Sequence, residues 1–181
     1  MKTLVEGLLS WTNHPASAAE MSRAGVVVTH EFGDQQHLGV SNAAIAEVAH
    51  ALMRELSIRL WVAQYPTNFG ARDILPIAVI RTNYTNPGAY LDTEEVNRQV
   101  ASVCRERHVT QVVLVCHPHH AWRAKKNLER FGMTVYLPDL SSIPYDPGCS
   151  RKPLNSALYF IPREILARIF YYFKGYYKKV T

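Results

Sequence analysis

The segment QVVLVC, residues 111–116, limits the fold more than any other stretch of this chain. In an extended conformation both of its faces are apolar, so a strand here must be covered on two sides. That is the situation of a central strand in a parallel sheet with a helical layer on each face. The apolar run ends abruptly in His117, Pro118, His119 and His120, with Arg123 one turn further on.

The rest of the chain supplies partners for such a strand. GVVVTH (25–30), IRLWVAQ (58–64), LPIAVIR (75–81) and MTVYLP (133–138) are short apolar runs that predict four more strands. Between them lie helical patterns. Ser41 is placed to cap a helix whose Ile45, Val48, Leu52 and Leu56 share a face. Asp92 and Glu95 have capping-box spacing and open a helix with Val96, Val100, Val103 and Cys104 as its stripe. A further helix runs from near His119 to Phe131, with Ala121, Ala124, Leu128 and Phe131 inward and Gly132 as its stop. Segment 138–161 has the length of a lid or binding loop. Pro162 opens a final helix, whose Ile165, Leu166, Ile169, Phe170 and Phe173 form one core-facing stripe.

Strands alternating with helices predict the α/β class. The expected architecture is a Rossmann-like three-layer sandwich with a mainly parallel five-stranded sheet in the order 3-2-1-4-5. A chain of 181 residues suits one such domain spanning 1–181.

Composition removes several function classes. At 48% hydrophobic and 19% charged residues the chain reads as globular, not disordered. Cys104, Cys116 and Cys149 are odd in number and form no CxxC pair, so neither a disulfide framework nor a zinc ribbon is expected. In MKTLVEGLLSW, Glu6 interrupts a short apolar run, which argues against a signal peptide or membrane span and for a cytoplasmic protein. The net charge of +5 is uneven: residues 1–90 carry 6 Lys/Arg against 7 Asp/Glu, and residues 91–181 carry 14 against 8. A basic half suits an anionic ligand or a membrane surface. No nucleic-acid recognition motif accompanies the charge, so a nucleic-acid partner is not expected.

In a sheet of this order, ligands bind beyond the carboxyl ends of the strands, where the order reverses between strands 1 and 4. Strand 1 runs into His30 and Glu31, and strand 4 into His117, His119 and His120. The loop after strand 3 brings Asp92, Thr93, Glu94 and Glu95 to the same end. The helix after strand 4 starts with His119, His120, Arg123, Lys125 and Lys126, and has no acid before Glu129. Cations oppose the partial positive charge of a helix N-terminus, so this pattern makes sense where an anion binds. The candidate roles follow. Arg123 holds the anion, and Arg123→Ala is expected to weaken binding while barely changing stability. His120 serves as hydrogen-bond partner or acid/base, and Glu95 as a catalytic carboxylate. Thr93, His117, His30 and Glu31 complete the ligand-binding set. Each has a plain alternative: His117 and His119 as loop residues, His30 as a satisfied buried histidine, and Glu95 as half of a capping box.

The segment YLDTEEVNRQVASVCRERHVTQVVLVCHPHHAWRAKKNLERFGMTV resembles the signature of the YdcF/SanA/ElyC-like bacterial proteins, a domain of unknown function. Its Thr-x-Glu element falls on Thr93 and Glu95, its His-x-x-Arg-Ala on His120, Arg123 and Ala124, and its Gly-x-x-Val on Gly132 and Val135. An early Glu in the last helix is matched by Glu164. The glycine-rich turn usual after strand 1 is reduced here to Gly33, and Val96 stands where many members have Asn. The resemblance implies a Rossmann-like fold. It also implies S-adenosylmethionine as a candidate cofactor in a cytoplasmic branch, and a link to envelope biogenesis in membrane-anchored branches.

Together these readings favour binding of a small anionic or nucleotide-like molecule. A metal-dependent hydrolase is the second reading, with His30, His117, His119, His120 and Glu31 as possible ligands. Against it, His-Pro-His-His is not a known catalytic zinc spacing, and neither HExxH nor DxD occurs. A third reading is a membrane-surface module acting through the aromatic, basic C-terminal helix.

Overall fold

The computed structural model describes residues 5, 10–11, 14–33, 38–70 and 73–178. Its strands are β1 (Val26–Thr29), β2 (Trp61–Gln64), β3 (Ala78–Ile80), β4 (Gln111–Val115) and β5 (Thr134–Tyr136). They form one all-parallel sheet in the order β3-β2-β1-β4-β5, as expected from the alternating pattern. The central pair is β1 and β4, with Thr29 opposite Val115. Val112 to Val115 are fully buried, which is why the strand has no polar face. Trp61, Val27 and Val28 pack at the same level, and the Trp61 indole N–H donates to Thr29 Oγ1 at 3.1 Å.

The helices are α1 (Ala18–Met21), α2 (Gly39–Glu55), α3 (Thr93–Glu106), α4 (Pro118–Arg130) and α5 (Ala157–Phe173). Right-handed crossovers in a sheet of this order put α2 on one face and α3 and α4 on the other. α3 and α4 lie side by side, and α5 packs on α4. α4 starts where the sequence allows a helix to start: Pro118 occupies its first turn and Gly132, at φ +87°, follows its end. Among the described residues, no helix is long and apolar enough to cross a membrane.

Three expectations about helices need correction. α2 begins at Gly39, with Leu38 at the N-cap position and no side-chain cap. Ser41 instead donates its hydroxyl to the Pro144 carbonyl at 2.7 Å, tying α2 to segment 138–161. The capping box of α3 is half formed. Asp92 accepts from the Glu95 N–H at 2.9 Å, but the Glu95 carboxylate is bound elsewhere.

The third correction concerns α5, which begins at Ala157 and contains Pro162. Its inward face is Phe160, Glu164, Arg168 and Tyr171, not the expected aliphatic stripe. Leu166, Phe170 and Phe173 are 68%, 52% and 77% exposed. The apolar period was real, but the opposite face carries Glu164 and Arg168, which meet Arg123 on α4. A buried carboxylate with two guanidinium partners fixed the rotation of the helix.

Candidate functional site at the β1/β4 switch point

The backbone first brings the two strand ends together. The His30 N–H donates to the Val115 carbonyl at 3.0 Å, so the chain leaves β1 directly beside the end of β4. The His30 and His120 rings then lie 5.9 Å apart, centroid to centroid. Over them lies a cavity of about 240 Å³. Its lining includes Glu31 from the segment after β1, Thr93 from the start of α3, His120 and Arg123 from α4, and Glu164 and Tyr171 from α5.

Arg123 organises the floor of this cavity. Its Nε–H donates to Glu164 Oε1 at 2.9 Å and its Nη2–H to Oε2 at 2.8 Å. Its Nη1–H donates to Thr93 Oγ1 at 2.8 Å. Nη2 also lies 3.1 Å from His120 Nδ1. An arginine can only donate, so Nδ1 accepts and the neutral imidazole carries its proton on Nε2. Arg168 adds a second guanidinium to Glu164, at 3.1 Å, and holds the Ser10 and His119 carbonyls. Its charge lies over the Trp11 and Trp122 rings.

The electrostatics follow from this packing. Burial opposes the charge of Glu164, but Arg123, with help from His120, holds its carboxyl down at about 2. Burial likewise opposes the charge on Arg123, and Glu164 keeps it firmly protonated. Burial, and then Arg123, lowers His120 below the usual histidine range, with Glu164 pulling the other way. His120 is therefore neutral near pH 7, and among the described residues its Nε2 has no hydrogen-bond partner. It presents an N–H donor at the cavity wall.

The remaining candidates separate into those at the cavity and those away from it. Glu31 lines the cavity and pairs with Arg151 at 3.1 Å. His30 is buried beneath His120 and held down to about 3, by burial first and then by the charges of His120 and Arg123. Its Nε2 has no hydrogen-bond partner, so the reading of a fully satisfied buried histidine does not describe it. His117 lies flat on Phe32, 3.9 Å away and 13° from parallel, with Tyr145 alongside. Its Nδ1 accepts the His119 N–H as the N-cap of α4, and burial depresses its pKa to about 3. His119 pairs with the Tyr145 hydroxyl at 2.6 Å.

Glu95 points away from the cavity. It accepts from the Tyr84 and Thr85 N–H groups, the Thr85 hydroxyl and Gln99, at 2.6–3.2 Å. It anchors the loop that carries Tyr90 to the cavity mouth. The five possible metal ligands are similarly dispersed. Among the described residues no group of three or more His, Cys, Asp or Glu side chains is placed to hold a metal ion.

Three cavity residues went unselected in the sequence reading. Arg151 comes from segment 138–161 and donates to Glu31, the Gly33 carbonyl and the Tyr90 hydroxyl. The length of that segment was its signal. Tyr90 sits in a loop with no periodicity to orient it. Arg163 lines the cavity from α5, is exposed, and among the described residues has no hydrogen-bond or ion-pair partner.

Comparison of the chain with protein-family models, curated proteins and solved structures found no match.

Proposed function

We propose that the switch-point cavity binds a nucleotide-like or phosphorylated small molecule through an anionic group it carries, with S-adenosylmethionine, which would offer its carboxylate, a candidate through the family resemblance. The observation that carries this reading is the charge that remains after internal pairing. Three guanidinium groups, on Arg123, Arg151 and Arg163, line the cavity with three carboxylates, on Glu31, Asp92 and Glu164, and Arg168 reaches Glu164 from outside the lining. Arg151 is matched by Glu31, Arg123 and Arg168 share Glu164, and Asp92 caps α3. Arg163 is left to meet a ligand anion at the cavity mouth. His120 supplies a neutral Nε2–H donor, and Tyr90 and Tyr171 supply ring faces.

The anion contact thus moves from Arg123, four of whose five N–H groups are committed, to Arg163. Arg123, Thr93, His120 and Glu164 carry much of the family resemblance, and their joining in one network supports treating them as one site. The volume favours a ligand of modest size, since pockets for larger organic ligands run to about 300–1,000 Å³. A sugar phosphate or one nucleoside unit fits, and S-adenosylmethionine would extend through the mouth. His120 serves here as a donor to the ligand. A metal-dependent hydrolase has less support, because its ligands point into different packing environments. We place the protein in the cytoplasm.

The test is thermal melting of the purified protein with adenosine monophosphate, S-adenosylmethionine and a hexose phosphate. A ligand at a hundred times its Kd stabilises by about 2.7 kcal/mol and raises the melting temperature by several degrees. No shift with any of the three would remove the proposal.

A further inference from the structure

The exposed face of α5 has an unusual composition. Leu158, Tyr159, Leu166, Phe170 and Phe173 are each more than half exposed on it. The charges exposed on α5 and in the five residues after it are Arg163, Lys174 and Lys178. Glu164, the sole carboxylate of that stretch, is buried. A solvated helix face normally mixes both signs of charge with uncharged polar residues. This one is apolar and aromatic from Leu158 to Phe173, a span of roughly 24 Å at helical rise, with Arg163 and Lys174 as its cations.

From this face we infer that α5 docks the protein on an anionic lipid surface, lying in the plane of the interface. The apolar stripe would enter the boundary between headgroups and acyl chains, where amphipathic helices bury their apolar side. Arg163 and Lys174 flank it and meet lipid phosphates. The Lys174 ammonium lies over the Phe170 ring, 5.5 Å from its centroid, so a cation is already held against the apolar stripe. The helix has 17 residues and is not apolar enough to span, so it lies on the membrane. A second copy of this chain is a poorer occupant. In a twofold dimer the same face meets itself, and Arg163 and Lys174 would meet like cations with no carboxylate between them. Arg163 and Phe170 also line the cavity, so the test below leaves both in place and its outcome does not depend on what the cavity binds.

Sedimentation with vesicles tests it, using the full chain with phosphatidylcholine alone and with an equal mixture of phosphatidylcholine and phosphatidylserine. The protein should pellet with the mixed vesicles, remain in solution with the neutral ones, and be released at about 1 M salt, where screening is complete within about 3 Å. Lys174→Gln should weaken partitioning by roughly fivefold, one charge at about 1 kcal/mol. Leu166→Glu with Phe173→Glu should abolish it while leaving the melting temperature unchanged, because both residues are exposed. Absence of pelleting with mixed vesicles overturns the inference, as does equal pelleting of the Glu variant. Light scattering gives the third check. A wild-type dimer that the Glu variant converts to monomer would show that the face is a self-interface and not a lipid contact.

Discussion

Arg123 and Glu164 lie 41 residues apart and share two parallel hydrogen bonds, Nε–H to Oε1 at 2.9 Å and Nη2–H to Oε2 at 2.8 Å. The carboxylate is 1% exposed and the guanidinium 12%, so each is the other's main replacement for water. This pair joins α4 to α5, sets the rotation of α5 and forms the cavity floor.

Removing Arg123 therefore acts on folding first. Arg123→Ala leaves Glu164 buried with Arg168 and the more distant His120, and breaking one side of a buried pair costs about 3–5 kcal/mol. Chemical denaturation should show a loss of that order at pH 7. This reverses the expectation of a near-neutral substitution. A variant as stable as wild type would mean that Arg168 and His120 satisfy the carboxylate.

Acid should destabilise the protein in two stages. Free histidine titrates near 6.5, but His30 and His117 are held down to about 3 in the fold. Between those values the unfolded chain binds more protons, so stability falls as pH drops below 6.5. Glu164 adds to this loss as pH falls from 4.5 toward about 2, where its depressed pKa is passed. Its share is roughly 3 kcal/mol by linkage. His117→Asn retains an N-cap acceptor and removes one titrating ring. Melting curves of this variant should show a shallower slope between pH 6.5 and 4.5 than wild type. An identical slope would show that His117 does not contribute.

The sheet was legible in the sequence because its signals are local. QVVLVC has no polar face, and the strand order follows from handedness and short connections. The convergence of His30, Thr93, His120 and Arg123 followed from that order. What the sequence did not disclose was which partner each polar group takes. Arg123 carried no mark of being bound to Glu164, and Glu95 none of holding Tyr84 and Thr85. The face of α5 was misread for the same reason. Periodicity located an apolar stripe, but a buried ion pair on the opposite face decided which side turned inward.

Glu95 should behave as a loop anchor. Gln at this position can still accept with its carbonyl oxygen, but it loses charge-assisted bonds to Tyr84, Thr85 and Gln99. Glu95→Gln should cost about 1–3 kcal/mol, and proteolysis near residues 83–91 should become faster. Affinity for a cavity ligand should fall only through the displacement of Tyr90, by less than about threefold. A large loss of affinity at unchanged stability would instead place Glu95 in contact with the ligand.

His120 should act as a neutral donor. Ligand affinity should then not rise between pH 8 and pH 7, because a ring lowered below the usual range stays uncharged there. His120→Gln keeps an acceptor for Arg123 and a donor for the ligand, whereas His120→Ala removes both. The Ala variant should bind about three- to tenfold more weakly, the scale of one neutral hydrogen bond, and the Gln variant nearly as well as wild type. Affinity that rises steeply as pH falls through 7 would assign a charged imidazolium instead.

The most direct test of the cavity as an anion site is a calorimetric titration of wild type and Arg163→Ala with adenosine monophosphate, S-adenosylmethionine and a hexose phosphate. Arg163 is exposed at the mouth and outside the Arg123–Glu164 pair, so the variant should melt with wild type. At least one of the three should bind wild type saturably at one site. The variant should bind it roughly ten- to a hundredfold more weakly, the scale of a charge-assisted hydrogen bond. Binding that is unchanged by the substitution, or no binding of any of the three to wild type, would contradict the account.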